Sequence, residues 1–173
     1  AITGNAGAFG NSISGHLVKC IIYDSNGKLI EATKDYFNFN YRHSNIKEKN
    51  DIIINASFQL TKGNQSELKN KVRKIIRLRN SKHPLSDIAS AGSFFKNIIL
   101  ADNTKLSSGI LLETIGAKKM FVGDAGVFHK HANIIINKKN ATSKDILKLA
   151  KKLKDAVYKK YKIWLKEEVV FIS

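Results

Sequence analysis

The spacing of apolar residues changes from strand-like to helix-like near residue 65, and no other feature limits the fold of this chain so strongly. Before that point, HLVKCIIYD, the turn-forming SNG and KLIEA read as a β-hairpin, with β-branched residues on either side of an Asn-Gly pair. DIIINASFQL then repeats Ile52, Ile54, Ala56 and Phe58 at every second position, which predicts a strand carrying all four on one face. After that point, Leu68, Val72, Ile75 and Ile76 recur at helical spacing behind the polar entry NQS, predicting an amphipathic helix with a basic outer face. Period two followed by period 3.6 is the pattern of an α+β chain, with a boundary after residue 64.

Pro84, the single proline, ends that helix. Further on, TKLSSGILLETIG predicts a second helix stopped by Gly116, FVGDAGVF and ANIIIN predict two short strands, and KIWLKEEVVFIS predicts a closing strand. In NATSKD, Thr142 and Asp145 have capping-box spacing, and Ile146, Leu149, Ala150, Leu153, Ala156 and Val157 supply the stripe of a long helix. The expected organisation is one domain over 1–64, a second over 65–161, and a tail strand over 162–173.

Thirty Lys and Arg against fourteen Asp and Glu leave a formal charge of +16, which attracts phosphate in nucleic acid, anionic lipid or a nucleotide. A lysine-rich solvated surface accounts for the same charge. Aromatic residues are not interleaved with the basic helices at 66–79 and 143–161, so the stacking platform of a single-strand nucleic-acid binder is missing. No apolar run reaches bilayer-spanning length, so a soluble protein is expected, with no membrane partner. Cys20 is the sole cysteine, which excludes an intrachain disulfide and makes a reducing, cytoplasmic setting the simpler expectation. In its strand context it reads as a small buried hydrophobe. His129 and His131 alternate along an expected strand and so fall on opposite faces; with no cysteine cluster, no metal is expected.

SAGSFFKN, residues 90–97, sets two adjacent phenylalanines among small polar groups. One-sided burial in a strand or helix does not produce that pattern. Read alone, GSFF is a serine capping a turn.

Six segments taken in order change that reading: GNAGAFG at 4–10, NYRHSNIK at 40–47, KHPL at 82–85, SAGSFFKN at 90–97, HKHANIIINKKNATSKD at 129–145 and IWLKEEVVFI at 163–172. Together they resemble the C-terminal two thirds of the UDP-N-acetylenolpyruvoylglucosamine reductase family, in its shorter-loop subgroup. The resemblance implies the later part of an FAD-binding, vanillyl-alcohol-oxidase-like domain over 1–64 and a substrate-binding α+β domain over 65–161. It also implies that the tail returns to the FAD-binding region. The reaction it implies is reduction of UDP-N-acetylglucosamine enolpyruvate to UDP-N-acetylmuramate, with hydride passing from NADPH through FAD, in cytoplasmic peptidoglycan precursor synthesis. The N-terminal segment that completes the FAD site in the family lies ahead of GNAGAFG and is an expected partner of this chain.

The same resemblance assigns roles residue by residue. Ser93 matches the proton donor, Glu168 the C-terminal glutamate that polarises the reacting carboxyl, and Arg42 the arginine facing that carboxylate. Tyr41, Lys82, Asn97 and His131 match substrate-binding positions, and Gly4, Asn5, Ala6, Gly7 and Gly10 the flavin-contacting loop. Strand alternation would turn Glu167 to solvent, opposite Glu168. Three positions depart from the pattern: Val170 where an arginine is usual, Ser173 where a glycine is common, and Ile98 where a proline often stands. Two further readings stand beside this one, a UDP-sugar-binding half that is inactive without the FAD segment, and a basic nucleic-acid-binding protein.

Overall fold

The computed structural model describes residues 1–85 and 87–172, so the departure at Ser173 lies outside the described residues. The chain divides into two compact units, Ala1–Asn64 and Gln65 onward. Both mix strands with helices or single helical turns, as the change of period requires. Among the described residues no helix is long and apolar enough to cross a membrane.

In the first unit, β1 (Gly7–Ala8) and β2 (Asn11–Ser12) form a short hairpin. Its loop residues Phe9 (φ 51°) and Gly10 (φ 79°) are both left-handed, as a type I′ turn demands. At Gly7 a Cβ would stand 2.6 Å from the Asn11 carbonyl oxygen, so only glycine allows the two strands to approach this closely. The chain then builds an antiparallel sheet in the order β4–β3–β5, from β3 (Leu17–Tyr23), β4 (Leu29–Thr33) and β5 (Ile52–Phe58). The β3–β4 turn is held by the Asp24 carboxylate, which accepts from the Asn26 and Lys28 amides at 3.0 and 2.8 Å. Leu17, Cys20, Ile22, Ala32, Phe37 and Ile46 form the core, and Cys20 is the buried hydrophobe expected of it.

The expected face of β5 is not the buried one. Ile52, Ile54 and Phe58 are exposed at 59%, 57% and 42%, while Ile53 and Ala56 pack against the core. Pairing explains the shift: Ile21 lies opposite Asn55 but Ile22 opposite Ile53, so Ile54 is an extra residue in a β-bulge. An inserted residue exchanges the two faces on either side of it, and no local sequence period registers this.

The second unit opens with α1 (Gln65–Lys82), a helix with no buried residue. Leu68, Val72 and Ile76 are about half exposed, at 49%, 53% and 51%, so the expected apolar stripe is present but uncovered. The unit then builds a four-stranded antiparallel sheet in the order β6–β11–β10–β9, with a small β7–β8 hairpin beside it. In chain order these are β6 (Ser90–Ser93), β7 (Ile98–Ile99), β8 (Lys105–Leu106), α2 (Ser108–Thr114), β9 (Phe121–Val122), β10 (Ala125–Val127), β11 (Ile134–Asn137) and α3 (Ser143–Tyr161). The Thr142 hydroxyl accepts from the Asp145 amide and the Asp145 carboxylate from the Thr142 amide, completing the capping box that starts α3. Leu149, Ala150, Leu153 and Val157 of α3 are buried against the sheet with Leu111, Leu112, Phe94 and Phe95.

Two other expectations need correcting. The closing segment forms the isolated antiparallel bridge Phe95–Glu167 rather than a strand. β6 has already ended at Ser93 and the chain turns into β7 at Ile98, so no continuous edge remains for a longer ladder. Through Leu165, exposed at only 1%, this segment belongs to the core of the second unit. His129 and His131 lie not on a strand but in tight turns between β10 and β11, where Phe128 N–H donates to the Ile134 carbonyl and His131 N–H to the Phe128 carbonyl. The inference that they occupy opposite strand faces therefore lapses.

Candidate active site

Phe94 and Phe95 are both buried, at 4% and 1%, with their rings in a T-shaped contact at 5.0 Å. This is possible because the backbone after Ser93 is held by a side chain instead of a regular strand. Asn133, exposed at only 4%, accepts from Phe95 N–H through Oδ1 at 2.9 Å and donates to the Phe95 carbonyl through Nδ2 at 2.7 Å. Its own carbonyl accepts from Phe94 N–H at 2.8 Å. One asparagine thus mimics a strand partner, frees the chain from alternation and lets both rings anchor the turn. Sequence reasoning passed over Asn133; its one signal was an amide inside the apolar run ANIIIN.

Ser93 ends β6, paired with Ile134, directly after Gly92. Glycine is required there by its φ of +78° rather than for room, since a Cβ would meet nothing within 4 Å. On the other side of this turn, Glu168 N–H donates to the Phe94 carbonyl and Lys96 N–H to the Lys166 carbonyl, each at 2.8 Å. Glu168 is therefore bonded to Phe94, the residue that follows Ser93, although 75 positions separate Ser93 from Glu168 in sequence.

Glu167 is not turned to solvent. Its carboxylate meets the Lys154 ammonium of α3 at 2.8 Å, with side chains 30% and 26% exposed. Partial burial pushes the Glu167 carboxyl up, but the Lys154 hydrogen bond and charge outweigh it and leave it below the ordinary value. Val170, which stands where an arginine is usual in the resembling family, is 81% exposed.

Asn97 Oδ1 accepts from the Ser108 amide at 3.1 Å, tying the chain after the phenylalanines to the start of α2. Asn97 also lines a hollow of about 210 Å³ with Lys96, Lys166 and Trp164. Lys82, exposed, is the last residue of α1. His83 follows it, its ring centroid 5.3 Å from that of His131. Burial, before the neighbouring charges, lowers the pKa of both imidazoles.

The remaining expected residues belong to the first unit. Tyr41 and Arg42 are the central pair of a tight turn closed by reciprocal Asn40–His43 backbone bonds at 3.1 and 3.2 Å. Arg42 takes the left-handed φ of 54°, an unfavourable conformation for a side chain of this size. Its guanidinium donates to the Gly7 carbonyl at 3.0 Å and its own carbonyl accepts from Lys47 Nζ at 2.9 Å, which hold it there. Asn5 is buried; Nδ2 donates to the Asn40 carbonyl at 3.1 Å and Oδ1 accepts from the Ser14 amide at 3.2 Å, so its side chain braces the loop. Ser44 Oγ donates to the Thr3 carbonyl at 2.8 Å. Ala6, Ala8, Phe9 and Gly10 are left exposed on the braced loop.

Comparison with known proteins gives the family. Residues 83–172 match the family model described as the UDP-N-acetylenolpyruvoylglucosamine reductase C-terminal domain. The chain is 37% identical over its whole length to the UDP-N-acetylenolpyruvoylglucosamine reductase of Clostridium novyi, covering 54% of that protein. It is 38% identical, again over its whole length, to that of Clostridium kluyveri, covering 55%. The crystal structure of UDP-N-acetylenolpyruvylglucosamine reductase from Thermus caldophilus superposes with a TM-score of 0.79 at 25% identity, over 97% of this chain and 57% of that one. The chain thus spans about half the length of the curated relatives it matches, not two thirds. With the family model matched over residues 83–172 and the fold shared with a solved relative, the chain belongs to the UDP-N-acetylenolpyruvoylglucosamine reductase family and corresponds to its C-terminal part.

Proposed function

We propose that this chain is the substrate-reducing portion of a cytoplasmic flavoenzyme that converts UDP-N-acetylglucosamine enolpyruvate to UDP-N-acetylmuramate for peptidoglycan synthesis. The observation that carries the reading is the bond from Glu168 N–H to the carbonyl of Phe94, the residue after Ser93, in a turn that Asn133 holds at Phe95. FAD, when bound, supplies the hydride it has received from NADPH. The loop at Gly4–Gly10 fits such a group, because it is braced by Asn5, Arg42 and Ser44 and presents outward the backbone around Ala6, Ala8 and Gly10 together with the flat ring of Phe9.

Addition of a hydride to one carbon of the enolpyruvyl double bond moves the π electrons towards the substrate carboxylate as an enolate. Arg42 balances its growing charge with a permanent positive fork, and Glu168 is the residue that polarises the reacting carboxyl group. Ser93 Oγ then delivers its proton to the second carbon. Lys82, Asn97, Tyr41 and His131 hold the UDP-sugar, and the excess of lysine suits its diphosphate. The enzyme that contains this chain should be yellow, should bleach with NADPH and should regain its colour when the enolpyruvyl sugar is added. Bleaching that the enolpyruvyl sugar fails to reverse would contradict the assignment of substrate. The alternative of a basic nucleic-acid-binding protein is not favoured by the family match.

A further inference from the structure

His83 fits none of the roles assigned above, yet its ring lies 5.3 Å from that of His131 and is tilted 44° to it. The placement is built rather than accidental. His83 N–H donates to the Arg79 carbonyl at 2.8 Å, continuing the last turn of α1 until Pro84 stops it. His131 sits in the turn after β10, where Asn133 N–H donates to its Nδ1 at 3.2 Å. A ring nitrogen that accepts a hydrogen bond carries no proton, so the neutral His131 is the Nε2–H tautomer. Against its other side packs Gly109 of α2, where a Cβ would come 3.6 Å from His131 Cε1.

The charges facing the pair, among the described residues, are largely of one sign. Arg79 and Lys82 of α1 act on His83, and Lys118 acts on His131. Glu113 of α2 works the other way on His131, but it is itself ion-paired with Lys118. Two imidazolium rings at this distance, beside further cations, repel each other, and a bound polyanion would relieve that repulsion.

We propose that His83 and His131 act as one unit, with His83 a positioning residue that keeps His131 a neutral N–H donor until a nucleotide diphosphate binds beside the pair and a proton is taken up with it. The proposal rests on the assignment of His131 to the nucleotide-sugar site. Its direction follows from linkage. In the empty protein both rings titrate below the ordinary histidine value of about 6.5, and an adjacent dianion raises them. Binding therefore takes up protons between the two titrations, and affinity rises as pH falls through that window.

The test uses a UDP-sugar, UDP-N-acetylglucosamine, as the UDP probe, because its diphosphate, unlike that of free UDP, has no group that titrates near neutral pH. Calorimetry in two buffers of different ionisation enthalpy should show net proton uptake by the wild type, with affinity rising by up to about tenfold per pH unit for each proton. His83→Gln, which keeps a polar group but cannot be protonated, should reduce that uptake. Followed by NMR without ligand, it should also shift the His131 titration upward. Binding of the UDP-sugar without proton uptake, or a His131 titration unmoved by His83→Gln, overturns the coupling while leaving the nucleotide site standing. Failure of the UDP-sugar to bind at all overturns the site assignment and the proposal with it.

Discussion

The backbone N–H of Glu168 donates to the carbonyl of Phe94 at 2.8 Å, so a residue near the end of the chain is fastened one position away from Ser93. That bond joins segments separated by most of the second unit, and it depends on the chain around Phe94 and Phe95 being held still. Asn133 does this from within the core, with both atoms of its amide committed to Phe95.

Asn133→Ala should therefore be among the most damaging single changes in the second unit. It leaves the Phe95 N–H and carbonyl buried without those partners, at about 1–3 kcal/mol each before relaxation. Urea denaturation should show a loss of about 2–4 kcal/mol. A loss below about 0.5 kcal/mol would mean that water or a neighbouring group replaces the amide.

The Lys154–Glu167 pair, partly exposed, should contribute about 0.5–1 kcal/mol. Because the Glu167 carboxyl titrates below its ordinary value in the folded chain, the contribution is complete above the unfolded value of about 4.3 and is lost as pH falls through the folded one. The stability difference between wild type and Lys154→Met should therefore be constant from neutral pH to about 5 and shrink on further acidification. Chemical denaturation at a series of pH values checks this; a difference that grows towards acid would contradict the pairing.

Gly7→Ala should disturb the first unit, because the new methyl would stand 2.6 Å from the Asn11 carbonyl oxygen, a backbone atom that cannot swing aside. Overpacking of this kind costs about 1–3 kcal/mol, read as a lower thermal midpoint. It also displaces the Gly7 carbonyl to which Arg42 donates, so flavin retention and substrate KM should both suffer. Ala8→Gly, exposed on the same hairpin, is the control and should leave Arg42 in place.

What could be read in the sequence was what is decided locally. The Thr142–Asp145 cap and the stripe of α3 depend on residues within a few turns of each other, and they appear as expected. The faces of β5 were misjudged because a bulge at Ile54 is set by pairing with β3, thirty-odd residues earlier in the chain. Glu167 was sent to solvent by an alternation that needs a full strand, whereas a single bridge and Lys154 determine its place. Motif order identified the family and named the residues to look for. Asn133 escaped notice because its role is to replace a strand partner at Phe95, 38 positions away, a relationship visible only once the turn is folded. The stripe on α1 was legible too, but its lack of cover was not, since burial depends on neighbours that a helical period does not reveal.

The most direct test of the central claim separates the two half-reactions in Ser93→Ala. A serine that only supplies the proton is not needed for hydride to leave NADPH, so flavin bleaching should proceed at close to the wild-type rate. Reoxidation by the enolpyruvyl sugar should slow by about a hundredfold or more, the usual scale for removal of a general acid. Reoxidation at the wild-type rate, or equal loss of both half-reactions, would contradict the assignment of Ser93 as proton donor.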